Sequence, residues 1–571
     1  MLGNCNGCAT RNIRGAPAYS IRMSRQAVLL LLSLLLSLPA AARREKLALR
    51  AESLELPGAP SAVVAADVDG DGLRDLAVVL AFTRWGEIGI EESMKMDDVE
   101  GLVEVLTVIP ALVDRRELRV FPGRPGGGFD PASRSLTLEP SVLSLEAGPP
   151  GAPVVALTDE GLSALRLRDG ALAFEPLIEE RPVLAGTGTF LPNLGLVKDL
   201  DGDGRADVLL PTAEGASVYL SGPQGLHVVS RLRFPLDGLQ GRSRRALSRF
   251  HPLPEVRDVD GDKLPDLVLR HASGEWKGFR VLRNRGGGRF SEAVAPLGEH
   301  QEDREEGPVV TFFGDLDGDG RAEYVTQEER GPGEDASMRQ EMKHAKRPKF
   351  LFRIHRSRPD LGMEPKPFQQ FEAEGYAFDT GGGGRDGDGG EVGVEMAMPG
   401  GFQDLNGDGR MDLIALTLDF SMLQAVKVLA VQRIGIGIDF HVHCQGPGGK
   451  LFPVQGLDLS GKFNLNLNNL KIGQISQFAG DFDGDGRADF TQMGRGRTVT
   501  IHRGRPDCSY PAQPDLALEL REAPRDLALV QVRDLDGDEL TDLLVIQPQV
   551  IREANVTPPV RLDLYLSRGE S

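Results

Sequence analysis

A nine-residue acidic pattern that recurs seven times places the strongest constraint on how this 571-residue chain folds. The pattern is D-x-D/N-G-D-x-x-x-D/E, and its copies begin at Asp67, Asp199, Asp258, Asp315, Asp404, Asp481 and Asp534. Chance does not produce seven copies of four aligned acidic or amide side chains. Because the copies recur at a spacing of about 60 residues, near the range of propeller units, the chain is predicted to consist of repeated structural units.

Short apolar runs flank each copy of the pattern. Residues 76–79 follow the first copy and residues 543–546 follow the last, while residues 63–66 and 529–532 precede the same two copies. Runs of this length between glycine-rich turns are typical of buried strands. Each acidic pattern is therefore predicted to form a loop that joins two strands.

A second sequence cassette follows each acidic loop and completes the predicted repeat. It consists of an apolar residue, a large or polar residue and a turn rich in Arg, Ser, Gly and Pro, as in Ile354-His355-Arg356-Ser357 and Ile501-His502-Arg503-Gly504. Strand, acidic loop, strand, strand, turn and strand form a four-stranded antiparallel meander. We therefore predict an all-β fold, a β-propeller of four-stranded blades with helical insertions in some of them.

The number of blades depends on one short segment. Eight cassettes can be counted, the extra one at residues 165–170, and its acidic partner is interpreted as the degenerate sequence 157–161, which keeps one acid. Residues 151–190 lack room for one strand, so seven blades is the alternative to eight.

The predicted organisation has three parts. Residues 1–42 form a signal peptide with an upstream extension, residues 43–56 a candidate closing strand, and residues 57–571 the propeller. The last repeat ends after the strand at 560–566, so residues 47–56 are predicted to supply its missing outer strand and remove an open sheet edge.

The acidic loops have the donor chemistry of a calcium site. Ca²⁺ takes 6 to 8 oxygen ligands, and we number the loop residues 1 to 9, with carboxylates or amides expected at positions 1, 3, 5 and 9 and a backbone carbonyl at position 7. Four carboxylates in one loop would otherwise repel each other. The predicted ligands, seven ions at most, are Asp67, Asp69, Asp71, Leu73, Asp75; Asp199, Asp201, Asp203, Arg205, Asp207; Asp258, Asp260, Asp262, Leu264, Asp266; Asp315, Asp317, Asp319, Arg321, Glu323; Asp404, Asn406, Asp408, Arg410, Asp412; Asp481, Asp483, Asp485, Arg487, Asp489; and Asp534, Asp536, Asp538, Leu540, Asp542.

Two alternatives to these calcium sites can be weighed from the sequence. An EF-hand needs a glutamate at position 12, where this chain has Val78, Leu210, Leu269, Thr326, Ala415, Gln492 and Val545, so this class is excluded. A solvated acidic turn without metal stays open, above all in the Asp258 and Asp534 loops. There Lys263 and Glu539 replace the glycine at position 6.

The acidic loops between strands resemble the FG-GAP/VCBS repeats of integrin α-subunit propellers and bacterial secreted relatives. The resemblance covers roughly residues 57–571 and rests on the motif D-x-D-G-D-G-x-x-D. It implies that the loops bind Ca²⁺ and stiffen each blade. It also implies that partners often dock on the opposite face.

The N-terminus carries the features of an export signal. Arg22 and Arg25 precede an apolar run at residues 27–38, and small residues follow at 39–42. A retained N-terminal anchor is the alternative. Once exported, Cys444 and Cys508 could form a disulfide, although the sequence leaves the pairing open. The expected compartment is the periplasm, the cell surface or the extracellular space.

Three long insertions are candidates for a binding surface. They occupy residues 83–116, 328–348 and 418–434, and the first has a spacing compatible with an amphipathic helix. A meander places them on the face opposite the acidic loops, where they form either a partner surface, surface decoration or a cap on the channel. A separate cluster, His441, His443 and Cys444, is either a transition-metal site or, as we favour, part of a strand.

The leading functional hypothesis is a binding module for protein or glycan, of the adhesion or scaffold type, without catalytic activity. The chain contains no G-x-S-x-G, H-E-x-x-H or P-loop motif. A formal net charge of -19 disfavours nucleic acid as a partner. A propeller enzyme acting on carbohydrate, as a lyase or dehydratase, and a purely structural surface component are the alternatives.

Overall fold

The computed structural model describes residues 47–83, 113–149, 151–191, 194–234, 253–271, 278–294, 309–331, 337, 347–375, 377, 401–419, 433–454, 459–466, 471–474, 478–494, 496–524, 527–548 and 559–568. Leu47–Ser571 forms one compact unit. The predicted signal peptide, most of the three insertions and the glycine-rich stretch 381–390 lie outside the described residues.

The compact unit is a ring of eight antiparallel β-sheets, which confirms the predicted all-β propeller. We number the blades in chain order, and within each blade the strands succeed one another from the inner to the outer edge. The first four blades are β2 (Ala59–Ala66), β3 (Asp75–Thr83), β4 (Val113–Phe121), β5 (Arg134–Leu138); β6 (Val142–Glu146), β7 (Val155–Thr158), β8 (Gly161–Arg168), β9 (Ala171–Ile178); β10 (Val197–Lys198), β11 (Asp207–Thr212), β12 (Gly215–Gly222), β13 (Gly225–Arg233); and β14 (Glu255–Arg257), β15 (Asp266–His271), β16 (Gly278–Asn284), β17 (Phe290–Val294).

The remaining blades follow the same plan with local elaborations. They are β18 (Val309–Gly314), β19 (Glu323–Glu329), β20 (Lys349–Arg356), β21 (Gln369–Glu374); β22 (Gly401–Gln403), β23 (Asp412–Asp419), β24 (Arg433–Gly446), β25 (Lys450–Pro453), β26 (Leu459–Asn466), β27 (Lys471–Gln474); β28 (Phe490–Met493), β29 (Thr498–His502), β30 (Leu516–Glu519); and β31 (Val530–Arg533), β32 (Asp542–Pro548), β33 (Val560–Ser567) with β1 (Leu49–Leu56). In blade 6 the long strand β24 pairs with both β25 and β26, and β27 extends the sheet. In blade 7 an isolated bridge between Gly480 and Asp489 marks the inner edge.

The short segment that left the blade count open belongs to a complete blade. Its inner strand is β6, which lies upstream of the segment 151–190 and was missed for that reason. Blade 2 therefore has four strands, and the count of eight is correct.

The ring closes through the N-terminal strand. β1 pairs with β33 along its whole length, from Leu49 opposite Ser567 to Leu56 opposite Val560. Blade 8 thus combines three strands from the end of the compact unit with one from its start. This arrangement leaves the last blade without an open outer edge on β33.

The hydrophobic core lies between neighbouring blades. The second strand of each blade packs against a blade on either side, so both of its faces are buried, as in the fully buried run from Leu76 to Leu80. This explains why the sequences of these strands are continuous apolar runs instead of alternating apolar and polar residues. Contiguous apolar clusters span each junction around the ring, including the one between blades 8 and 1, where Leu76 and Leu544 share a cluster.

Helical structure is nearly absent from the described residues, which contain a single 3₁₀ turn at Leu527–Leu529. The predicted amphipathic helix falls on residues 84–112 and lies outside them. Within the described part of the chain, no helix has the length and apolar composition needed to cross a bilayer.

Candidate metal-binding loops

All seven acidic loops occupy the same place in the fold, between the innermost and the next strand of a blade, and in blade 7 the bridge at Gly480 takes the place of the innermost strand. They therefore lie at one end of the ring. Adjacent loops contact each other through backbone hydrogen bonds in which position 8 of one loop donates to position 1 or 2 of the preceding loop. These bonds join Ala322 to Val259, Met411 to Leu316, Ala488 to Leu405 and Thr541 to Asp481, at 2.9–3.0 Å.

Two carboxylates fold each loop back on itself. The carboxylate at position 1 accepts the backbone N–H of position 6 in all seven loops, at 2.8–3.3 Å. The carboxylate at position 5 accepts the N–H of position 7, at 2.8–3.0 Å. The local turn is therefore set by the acids themselves. The other oxygen at position 1 accepts a further backbone N–H from position 4 or 5, whereas position 5 keeps one oxygen that accepts no backbone bond.

The loops with Lys263 and Glu539 at position 6 keep this turn. Both residues adopt a positive φ, 69° and 68°, where the other five loops have glycine. A side chain in this left-handed region costs about 1 kcal/mol relative to glycine. The substitution that weakened the metal prediction at Asp258 and Asp534 is thus accommodated by strain and leaves the loop conformation intact.

The acid at position 9 anchors the loop to its own blade. It is buried in every copy, with at most 1% of its surface exposed. One of its oxygens accepts the backbone N–H of position 2, at 2.8–3.1 Å in all seven loops. In six blades the other oxygen accepts an N–H from the end of the third strand or the turn that follows it, at 2.7–2.9 Å. The predicted ligand at position 9 therefore also holds the two cassettes of each repeat together.

Burial gives these anchoring acids unusual protonation behaviour. Loss of hydration raises the pKa of Asp412 and Asp489 to about 7, and that of Glu323 and Asp542 to about 8. The backbone donors oppose the shift but do not cancel it. A nearby divalent cation would favour the ionised form of the same groups.

The acid at position 3 is the group whose bonding is incomplete. One carboxylate oxygen of Asp69, Asp260, Asp483 and Asp536 is buried without a hydrogen-bond partner. The second oxygen is engaged, by Arg134 on Asp69, Arg283 on Asp260, Arg503 on Asp483 and the backbone N–H of Gly128 on Asp536. Sequence reasoning missed these arginines, although Arg283 and Arg503 occupy the same place in their cassettes.

The predicted ligands converge in the loops. Oxygens of Asp67, Asp69 and Asp71 lie within 4.8 Å of one another, as do those at positions 1, 3 and 5 of the Asp199 and Asp258 loops and at positions 1, 3 and 9 of the Asp315 loop. An all-oxygen set of this density fits a hard cation such as Ca²⁺. The carbonyl at position 7 stays a prediction. The side chains of Arg205, Arg410 and Arg487 at that position instead pair with the acid at position 5 of their own loop.

Blade 2 carries no acidic loop, and the sequence interpretation of this blade is wrong. The turn at residues 158–161 joins the second and third strands, so it lies at the opposite end from the acidic loops. The loop between the first and second strands is 147–154, A-G-P-P-G-A-P-V, which contains no acid. Here the buried carboxylate of Glu146 accepts the backbone N–H groups of Gly195 and Leu196 from blade 3.

The histidine and cysteine cluster does not form a transition-metal site. Cys444 is joined to Cys508 by a disulfide, with 5.7 Å between the Cα atoms, so neither sulfur is available as a thiolate. His443 is buried on β24 and contacts the ring of Phe371, with 5.3 Å between the centroids. His441 bonds to the hydroxyl of Thr417. These histidines are strand residues.

The opposite face of the ring is where the long insertions attach. The second strand of blade 1 runs from its acidic loop at Asp75 to Thr83, and the third strand returns from Val113. The segment between them therefore begins and ends on the face away from the acidic loops. The same holds for the insertions after β19 and β23.

One family comparison covers part of this ring. A model of the FG-GAP-like repeat matches residues 258–326, from the acidic loop of blade 4 into the second strand of blade 5. No curated protein matches the chain significantly. The FG-GAP propeller fold suggests a binding or scaffold module. The chain is therefore a β-propeller of eight antiparallel blades that carries an FG-GAP-like repeat at residues 258–326.

Proposed function

We propose that this chain is an exported, calcium-loaded propeller that binds a protein or glycan partner and catalyses no reaction. The observation that carries the calcium part is the buried carboxylate oxygen at position 3, which lacks a hydrogen-bond partner in four loops. A buried, unpaired carboxylate oxygen is strongly unfavourable unless a cation compensates it.

Calcium suits these loops better than other common cations. The donors are carboxylates, an amide and carbonyls, which favour hard cations over zinc or copper. Positions 1, 3, 5 and 9 would hold the ion together with the carbonyl at position 7, and the bound ion would offset their mutual repulsion. Mg²⁺ demands a tight octahedral shell and should substitute poorly.

Export is supported by two independent features of the chain. The sequence at residues 22–42 has the layout of a signal peptide. The bond between Cys444 and Cys508 favours an oxidising compartment, such as the periplasm or the cell exterior, because disulfides are rare in the cytosol.

The face with the insertions is the proposed partner surface. The acidic loops are tied to their own blades and to each other, which leaves them little conformational freedom for recognition. The insertions differ in composition from one another, as a surface that determines specificity should. A carbohydrate-active enzyme would instead need a converging set of acids, histidines or tyrosines outside the repeated positions.

Thermal unfolding tests the calcium part. Because Ca²⁺ would bind only the folded chain, excess chelator should lower the melting temperature and added calcium should restore it, while Mg²⁺ restores it poorly. An unchanged melting curve after confirmed metal removal would overturn the proposal of structural calcium.

A shortened insertion tests the partner surface. Replacing residues 88–112 by a short glycine-serine turn should leave a folded, calcium-binding protein, because propeller blades contact mainly their neighbours. A partner identified by pull-down from the native envelope should bind this variant more weakly than the parent. Equal binding would show that the insertion is decoration, and loss of folding would show that it belongs to the core.

A further inference from the structure

In four consecutive blades, an arginine or a cysteine of the second cassette lies beside position 3 of the acidic loop. In every blade with such a loop, the residue after position 9 pairs with the large residue of the second cassette, for example Phe490 with His502. The next residue in the chain is Arg283, Arg356, Cys444 and Arg503 in blades 4 to 7. This strand register brings the second cassette, which is distant in sequence, next to position 3 of the acidic loop.

The three arginines each form an ion pair with the acid at position 3. The separations are 3.0 Å from Arg503 to Asp483, 3.3 Å from Arg356 to Asp317 and 3.8 Å from Arg283 to Asp260. In each case the arginine reaches the Oδ2 atom. In Asp260 and Asp483 this leaves the Oδ1 atom as the buried oxygen without a partner.

Blade 6 has a different pair at the same two places. Position 3 is the neutral Asn406, and the cassette residue is Cys444, whose sulfur lies 3.8 Å from the Asn406 amide nitrogen. That nitrogen also donates to the carbonyl of Pro506 in the turn of blade 7, at 3.1 Å. The disulfide to Cys508 ties this turn to blade 6. Blade 6 thus combines a neutral residue at position 3 with a disulfide, whereas blades 4, 5 and 7 have an ion pair between an aspartate and an arginine.

We propose that these cassette residues hold the side chain at loop position 3 in place before a cation binds. Arg283, Arg356 and Arg503 do so by compensating one carboxylate, and the Cys444–Cys508 disulfide does so by fixing the carbonyl that binds Asn406. The proposal rests on the proposed calcium binding.

The physical reason lies in the charge of the cation-free loop. Without an ion, the carboxylates at positions 1, 3 and 5 repel each other, and the arginine offsets part of this repulsion. Once an ion is bound, it holds the carboxylate itself, so the arginine contributes less. The arginines are therefore positioning residues whose loss is felt mainly in the cation-free protein.

The test compares melting temperatures in chelator and in saturating calcium. Arg503→Met should lower the Tm by about 2 °C in chelator, from the loss of a charged contact, and by clearly less in calcium. The triple variant Arg283→Met, Arg356→Met, Arg503→Met should lower it by roughly 6 °C in chelator, because distant sites are additive. Arg503→Lys keeps the charge and should retain most of the stability.

Matched controls separate the possible outcomes. Arg285→Met removes an exposed arginine from the turn that follows Arg283. Its side chain donates to the hydroxyl of Ser291 and contacts no loop acid among the described residues, so the variant should change neither Tm. The double variant Cys444→Ser, Cys508→Ser should also lose more stability in chelator than in calcium. Equal losses in both conditions would overturn the proposal and leave the arginines as simple contacts between strands. If calcium fails to raise the Tm of the parent, the proposed calcium function itself fails.

Discussion

The anchoring role of the acid at position 9 gives a prediction that separates it from the other predicted ligands. Asp489 is fully buried, and its two oxygens accept the N–H groups of Phe482 at 2.8 Å and Gly504 at 2.9 Å. Asp489→Ala leaves both donors buried without an acceptor. At about 1–3 kcal/mol for each unsatisfied group, the variant should lose about 2–6 kcal/mol of stability.

The matched control is Asp485→Ala in the same loop. Asp485 is at position 5, is exposed, and pairs with Arg487. Asp485 also accepts the backbone N–H of Arg487 at 3.0 Å, but this N–H is exposed and can bond to water once the carboxylate is gone. Its removal should therefore lower stability by less than about 1 kcal/mol, because exposed ion pairs also contribute little. Both residues are predicted calcium ligands, so the comparison is made in excess chelator, where the cation plays no part.

Differential scanning calorimetry gives the readout. For a compact unit of the size of Leu47–Ser571 the unfolding entropy is about 1 kcal/mol per kelvin, so Asp489→Ala should lower the Tm by about 2–6 °C and Asp485→Ala by less than about 1 °C. Equal shifts, or a larger shift for Asp485→Ala, would refute the anchoring role.

Three further predictions follow from the loops. Asp203→Ala and Asp262→Ala should each remove one calcium ion, as counted by native mass spectrometry. Loss of an ion from Asp203→Ala alone would mean that Lys263 abolishes calcium binding in the Asp258 loop. Lys263→Gly combined with Glu539→Gly should raise the Tm by roughly 2 °C, because two residues leave the strained left-handed region; an unchanged Tm would show that the loops carry no such strain. In chelator the Tm should fall as the pH rises from about 4 to 8. Folding keeps the protons of Asp412, Asp489, Glu323 and Asp542 up to pKa values of about 7 or 8, whereas the unfolded chain releases them near pH 4. Calcium should abolish this fall, and a fall of the same size in calcium would contradict the account.

The repeat made the architecture predictable because each blade reuses the same loop and cassette. The positions of Asp67 and its six counterparts mark where the first strand of a blade gives way to the second. Blade 2 could not be predicted in this way because its loop, 147–154, has glycine, alanine, valine and proline in place of the acids. Without the marker, β6 was missed and the acidic turn at 158–161 was assigned to the wrong end of the blade.

The detailed roles of the loop residues could not be read from the pattern. Composition alone makes the acids at positions 3 and 9 equivalent donors, whereas the fold buries Asp489 under two backbone donors and leaves one oxygen of Asp483 without any. The partner of Asp483, Arg503, reaches it only through the strand register between two cassettes. The approach of Cys444 to Cys508 depends on the packing of blade 6 against blade 7, which sequence spacing does not encode.

The location of calcium in the loops tests the central claim most directly. A crystal structure of the protein grown with calcium and measured for anomalous scattering should show an ion in the seven acidic loops, surrounded by positions 1, 3, 5 and 9 and the carbonyl of position 7. The strongest anomalous peaks should include those in the Asp67 and Asp481 loops, where one buried carboxylate oxygen of Asp69 and of Asp483 has no other partner. Acidic loops without an ion at millimolar calcium, with position 3 satisfied by water or arginine alone, would contradict the account.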